Sequence, residues 1–506
     1  MHGCRHKCRM TNADNPTPEG ARPSLLRNWL SLSGLVVVIG SLFSFLLLFL
    51  LDSVAHFANP YIGILTYIIA PGFLILGLIV TGIGALRERR KLGGVGALVS
   101  AVVIDFSRAR DRRLMGIFLG GSVAFLLLSA LGSYHTYHFT ESIQFCGQTC
   151  HTVMKPELVT YQHGPHARVS CTECHIGRGA TWFVRSKLSG TYQLYATMFD
   201  KYPRPVPTPI KNLRPAQETC EQCHWPQKFV GNLERTYNYF LGEETNTPFT
   251  VSLLMKVGGG DPTHGPEGGI HWHMNVKNNK VEYIAADEAR QKIPWVRIVD
   301  AQGVVTEFRS KGFTNAIDPK AVRRMDCMDC HNRPAHMYQT PNDAVNLAIS
   351  LNRIDRALPW IKTNAVYALT RDYQDESEAL QGIATTLADR YPNLRDDLRV
   401  RQAIASVQQI YRDNFFPEMK ASWKVYPDNI GHKNWPGCFR CHDGKHSTAD
   451  GKQSIKASDC NACHTIMAQG RGKDSEKLTI GGVKFAHPGD ELEENPQCTE
   501  CHSGGL

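Results

Sequence analysis

Three long apolar stretches, seven closely spaced Cys–Cys–His motifs and one block of alternating apolar and polar residues predict the fold class. Together they describe a mainly α chain with three N-terminal transmembrane helices. A soluble remainder is organised around prosthetic groups and interrupted by a small β insertion.

The motifs decide the chemistry. Six read CxxCH: CTECH at 171–175, CEQCH at 220–224, CMDCH at 327–331, CFRCH at 438–442, CNACH at 460–464 and CTECH at 498–502. The first, CGQTCH at 146–151, carries one extra residue. In CxxCH two thiols add to the haem vinyl groups and the adjacent histidine ligates the iron. Seven covalently bound haems c follow, held by Cys146, Cys150, Cys171, Cys174, Cys220, Cys223, Cys327, Cys330, Cys438, Cys441, Cys460, Cys463, Cys498 and Cys501. The fold class is thus a haem-dominated multihaem cytochrome c. Of sixteen cysteines only Cys4 and Cys8 remain, so no disulfide framework is needed. With His2 and His6 these two form either a metal or redox clip or a disordered tip. Covalent haem attachment takes place outside the bacterial cytoplasmic membrane, which puts residues beyond 140 in the periplasm.

The net charge of +9 is unevenly spread. Residues 1–133 carry thirteen Lys and Arg against six Asp and Glu. Haem propionates make the soluble part acidic, which argues against nucleic acid and suits transient docking to a basic redox protein.

The predicted spans are 29–51, 61–86 and 114–134, each long enough for a bilayer core. Residues 1–28 form a tail with Arg5, Lys7, Arg9, Arg22 and Arg27, and the 87–113 loop carries eight more basic residues. The 52–60 loop has none, so both basic segments are cytoplasmic and the chain leaves the third span on the periplasmic side. The apolar run 92–104 is too short to span and reads as an interfacial helix. No histidine lies in the three spans, so no haem b is expected and electrons enter from a lipid-soluble donor at the outer surface.

Residues 135–240 hold three motifs. Residues 241–326 form the β-rich insertion, with FTVSLLMKV, IHWHMNV, VEYIA, WVRIV and VVTEF as strands. Residues 327–430 hold the fourth motif and helices in AVNLAISLNRI, EALQGIATTLADRY and RQAIASVQQIYRDNFF. Residues 431–506, short and rich in Gly and Pro, hold the last three motifs.

The proximal histidines are His151, His175, His224, His331, His442, His464 and His502. Of the others, His163, His166, His271, His273, His336, His432, His446 and His487 are the preferred distal ligands, and His135, His138 and His264 remain further candidates. In a strand, His271 and His273 would share one face with Trp272 opposite. Met154, three residues past His151, is either a haem ligand or a packing residue; which of His151 and Met154 ligates the first iron stays open.

FCGQTCHTVMKPE, YQHGPHARVSCTECHIGRGATWFVRSKLSGTYQ and TCEQCHWP resemble the NapC/NirT family of membrane-anchored quinol dehydrogenases. The resemblance is specific over 80–100 residues. It implies a menaquinol site beside the first haem, with Met154 as ligand and Lys187 at the quinol pocket. The family's acidic residue shortly after that lysine is replaced here by Gln193, which could serve only as a hydrogen-bonding group. Three spans, seven motifs and the β insertion depart from the usual family plan and resemble the seven-haem inner-membrane cytochromes of metal-reducing bacteria.

The expected function is an inner-membrane menaquinol dehydrogenase passing electrons to periplasmic c-type cytochromes in anaerobic respiration, extending to extracellular metal reduction. The alternative is a terminal reductase of a small oxyanion such as nitrite, although the CxxCK form of nitrite reductases is absent. A sensing or binding protein has no need of seven haems, and no signalling domain is seen.

Overall fold

The computed structural model describes residues 26, 28–55, 69–91, 106–148, 151–177, 179–210, 213–259, 268–274, 279–456, 460–489 and 497–505. Cys4, Cys8, His264 and the interfacial helix expected at 92–104 lie outside these residues. The chain divides into two compact units, residues 1–138 with 178–180, and residues 139–177 with 181–506.

In the first unit, α1 (Trp29–Ala55) and α2 (Ala70–Lys91) are long and apolar enough to cross a membrane. They pack on small residues. A Cβ on Gly34 would lie 2.5 Å from the Thr81 backbone nitrogen, and one on Gly84 2.6 Å from that of Ser31. Ser31 Oγ donates to the Thr81 carbonyl at 3.2 Å and Asn28 Nδ2 to that of Gly84 at 3.1 Å. Close backbone approach with polar cross-links is how helices associate where lipid removes the hydrophobic drive. Leu42, Phe43, Ile75 and Leu78 stay exposed on the outer faces. Arg89, Arg90 and Lys91 close α2, where the helix dipole favours cations. The expected third span lies within α3 (Ala109–Thr140), whose last turn enters the second unit.

The second unit opens with α4 (Ile143–Gln148), α5 (His151–Gln162) and α6 (Ala180–Met198). Its apolar core belongs to α7 (Pro341–Ser350), α8 (Ile361–Thr370), α9 (Glu376–Arg390) and α10 (Leu398–Asn414). Three of these match the periodic runs. Ala379, Ile383 and Leu387 on α9 and Val400, Ala403, Val407 and Tyr411 on α10 form the buried stripes. Thr340, Asp375 and Asp397 cap α7, α9 and α10 by accepting backbone N–H groups. Helix α8 lies in the 341–420 stretch whose sequence reads as helix, outside the three periodic runs. It is rich in weak helix formers, and burial of Ile361, Ala365, Val366 and Leu369 holds it.

About half of the described residues are helical, with a few short strands. Strands β1 (Leu233–Phe240) and β2 (Pro248–Met255) form a hairpin extended by β8 (His464–Gly470) from the sixth motif. A second sheet has the order β6 (Arg323–Arg324), β3 (Asn279–Ile284), β4 (Trp295–Asp300), β5 (Val305–Ser310), β7 (His446–Ser447). The expected strand IHWHMNV is corrected: Ile270–Met274 is a 3₁₀ turn. Gly258 and Gly259 on one side and Gly268 and Gly269 on the other let the chain fold back. Ile270 N–H donates to the Lys256 carbonyl and His271 N–H to that of Gly258. Trp272 packs against the core of the second sheet.

Candidate haem centres

Each CxxCH is a single helical turn. The backbone N–H of His224, His331, His442 and His502 donates to the carbonyl of the first cysteine of its motif at 2.8–3.0 Å. One such turn brings side chains three and four residues apart onto one side, where two thiols and an imidazole can address the same macrocycle. The fourth motif has a full capping box, with Asp326 and Asp329 each accepting the other's backbone N–H. Asp329 also accepts from Arg290 at 3.1 Å.

Six proximal histidines each face one distal candidate. The ring centres are 6.3 Å apart for His175 and His336, 6.0 Å for His224 and His166, and 6.3 Å for His331 and His271. They are 5.8 Å apart for His442 and His273, 6.1 Å for His464 and His432, and 6.0 Å for His502 and His487. An imidazole nitrogen sits about 2 Å from a first-row metal and the ring centre roughly an ångström behind it, so two rings on one iron stand about 6 Å apart. The residues therefore fit a haem at each pair. Among the described residues no group of three or more His, Cys, Asp or Glu could hold a metal ion, which sets these pairs apart from zinc cages.

Four of the six distal rings are oriented for ligation, whereas His487 Nδ1 accepts from the Gly489 N–H at 3.3 Å. His166 Nδ1 bonds the Pro334 carbonyl at 3.0 Å, His271 Nδ1 that of Val257 at 2.5 Å, His273 Nδ1 that of Ile270 at 2.8 Å and His336 Nδ1 that of Glu157 at 2.9 Å. A carbonyl only accepts, so Nδ1 carries the proton and the Nε2 lone pair is left for a metal. Burial pushes His273, His331, His336 and His432 down from the usual imidazole range, and does the same to His175, His442, His464 and His502. The neutral imidazole is the form that ligates.

Other candidates go elsewhere. His446 is buried with both nitrogens engaged, Nδ1 to Asp443 Oδ1 at 2.8 Å and Nε2 to the Ile293 carbonyl at 2.6 Å. It has no nitrogen left for iron. His163 is exposed, bonded through Nδ1 to the Val159 carbonyl, with Nε2 3.8 Å from Asp413. His135 and His138 lie on α3 against Tyr134. Met154 is half-buried on the first turn of α5; the side chain of His151 lies outside the described residues.

Successive motifs lie near one another in chain order. Cys146 lies close enough to Cys171, and Cys220 to Cys327, for each to perturb the other. Cys174 lies within electrostatic reach of Cys220 and Cys223, and Cys330 of Cys438. His432 stacks on Phe439 of the fifth motif at 4.2 Å. Lys433, next to it, lies within electrostatic reach of Cys498 and His502.

At the head of this line, Lys187 on α6 donates to Glu141 Oε1 at 2.9 Å and lies 4.9 Å from the centre of the Phe183 ring. Neighbouring Cys171 and burial raise the pKa of the Cys146 thiol; Glu141 adds to this and Lys187 opposes it. Gln193 does not join them: it is exposed and bonds Ser189 on its own helix at 3.4 Å. Glu141 escaped the sequence reading, though it is the sole carboxylate between Asp111 and Glu157 and stands five residues before Cys146.

Residues 108–206 match the N-terminal region of the NapC/NirT cytochrome c family. Cytochrome c-type protein ImcH of Geobacter sulfurreducens is 42% identical over 482 residues, covering 92% of this chain and 92% of its own. No solved structure matches the chain.

Proposed function

The chain belongs to the family of ImcH-type cytochromes c built on a NapC/NirT N-terminal region, and on that footing we propose that it is a menaquinol dehydrogenase of the bacterial inner membrane. Membership makes it a membrane-anchored, haem c-bearing protein of electron transfer. The proposal adds the donor, seven haems, three spans at 29–51, 61–86 and 114–134, a periplasmic haem part, and periplasmic c-type cytochromes as acceptors.

The observation that carries this reading is the Lys187–Glu141 pair set beside Cys146, in the first of a line of motifs that follow one another closely. Lys187 holds and orients the quinol head group by donating to a ring oxygen, with Phe183 offering an apolar wall. When bound, the haems supply one-electron acceptors with low potential, as paired imidazoles favour. His166, His271, His273, His336, His432 and His487 hold the second axial positions. Cys146, Cys150 and either His151 or Met154 hold the first haem. Extracellular metal reduction is one use of the electrons delivered. The oxyanion reductase reading needs an open iron, and six proximal histidines already face a second imidazole.

The test is direct. Reduced menaquinol analogue added to the full chain in detergent should reduce the haems, read by absorbance, with seven haems per chain by stoichiometry. Absence of reduction, while dithionite reduces every haem, would sink the reading.

A further inference from the structure

We propose that Glu141, at the corner between α3 and α4, is the carboxylate that takes the quinol hydroxyl proton. This rests on the quinol reading above. The side chain of Glu141 is nine-tenths buried. Its Oε1 accepts from Lys187 Nζ, and its Oε2 is buried with no hydrogen-bond partner among the described residues. Buried polar atoms are nearly always paired, so an unpaired carboxylate oxygen beside a cationic head-group anchor marks a position kept for a ligand donor. A quinol hydroxyl is such a donor, and Lys187 steers the ring oxygen toward that place. The Gln193 amide, exposed on another turn of α6, can neither reach this pair nor take a proton.

For each quinol oxidised to quinone, two O–H bonds break, two protons leave and two electrons pass singly to ferric haem as the one-electron oxidant. Glu141 Oε2 receives the first proton, releases it to water, and receives the second. Lys187 stays protonated throughout and keeps the deprotonated carboxylate in place between the two transfers.

The experiment compares wild type, Glu141→Gln and Glu141→Asp, each as the full chain in detergent. It reads haem content, the dithionite end-point, binding of a hydroxyquinoline N-oxide by fluorescence quenching, and the rate of haem reduction by a menaquinol analogue. Gln keeps an acceptor for Lys187 but takes no proton. We expect Glu141→Gln to keep full haem content and inhibitor binding while quinol reduction slows about 100-fold or more, with partial recovery in Glu141→Asp. Wild-type reduction by quinol with an unslowed Glu141→Gln overturns the role of Glu141 alone. Loss of inhibitor binding in Glu141→Gln overturns it too, by making the residue part of the binding scaffold. Failure of wild type itself to be reduced by quinol overturns the quinol reading beneath it.

Discussion

The rings of His271 and His331 face each other at 6.3 Å with their planes 5° apart, whereas those of His273 and His442 stand 84° apart. As haem ligands, these two residues of one 3₁₀ turn would serve two centres in opposite geometries. Parallel imidazoles both donate π density into the same iron d orbital and split it from its partner. Perpendicular ones load the two equally. The fourth haem should therefore give a rhombic low-spin paramagnetic resonance signal and the fifth a strongly anisotropic one. Replacing His271 by Ala should remove only the rhombic signal and turn one iron high-spin. An unchanged spectrum would refute the pairing of His271 with His331.

His446 separates ligands from structural histidines. Its two hydrogen bonds, to Asp443 and to the Ile293 carbonyl, tie β7 to the chain entering β4. His446→Ala leaves both acceptors short of a donor, at a cost of about 2–3 kcal/mol in denaturant unfolding. Haem content and the visible spectrum should not change. A shift to high spin in this variant would make His446 a ligand after all.

The CxxCH turns, the two apolar helices α1 and α2 and the α9 and α10 stripes were legible because their signals are local: a fixed spacing, a run, a period. What failed was non-local. HWHMNV alternates like a strand, yet its neighbours in space are Lys256 and Gly258, and 3.0 residues per turn sends His271 and His273 different ways. Strand β8 pairs with β2, more than two hundred residues earlier, so nothing near His464 announced it. Glu141 lay in plain view, but only the folded chain sets it against Lys187.

The membrane helices give a prediction independent of haem. Gly34 and Gly77 sit where α1 and α2 touch backbone to backbone. A Cβ at Gly77 would lie 2.9 Å from the Val38 nitrogen, whereas one at Gly82 meets nothing within 4 Å. Gly34→Ala and Gly77→Ala should each cost about 1–3 kcal/mol, read as a lower melting temperature in detergent. Gly82→Ala should be neutral. Equal behaviour of the three variants would refute the contact.

Lys362 carries the clearest pH prediction. It is buried in the helical core, its ammonium bonded to the Phe240 carbonyl. Burial first, and the nearby Lys433 second, lower its pKa from 10.5 to about 8. Between those two values the unfolded chain holds a proton on this lysine that the folded chain has released. Stability therefore rises with pH across that window, by at most about 1.4 kcal/mol per pH unit, because the penalty for burying the charge disappears. Below pH 8 both states are protonated and the slope vanishes. Lys362→Met should remove the rise and be relatively more stable at neutral pH than at pH 10. Urea unfolding of both proteins from pH 7 to pH 10.5 checks the sign. A wild-type curve parallel to that of the variant across the window would mean that Lys362 stays charged in the fold.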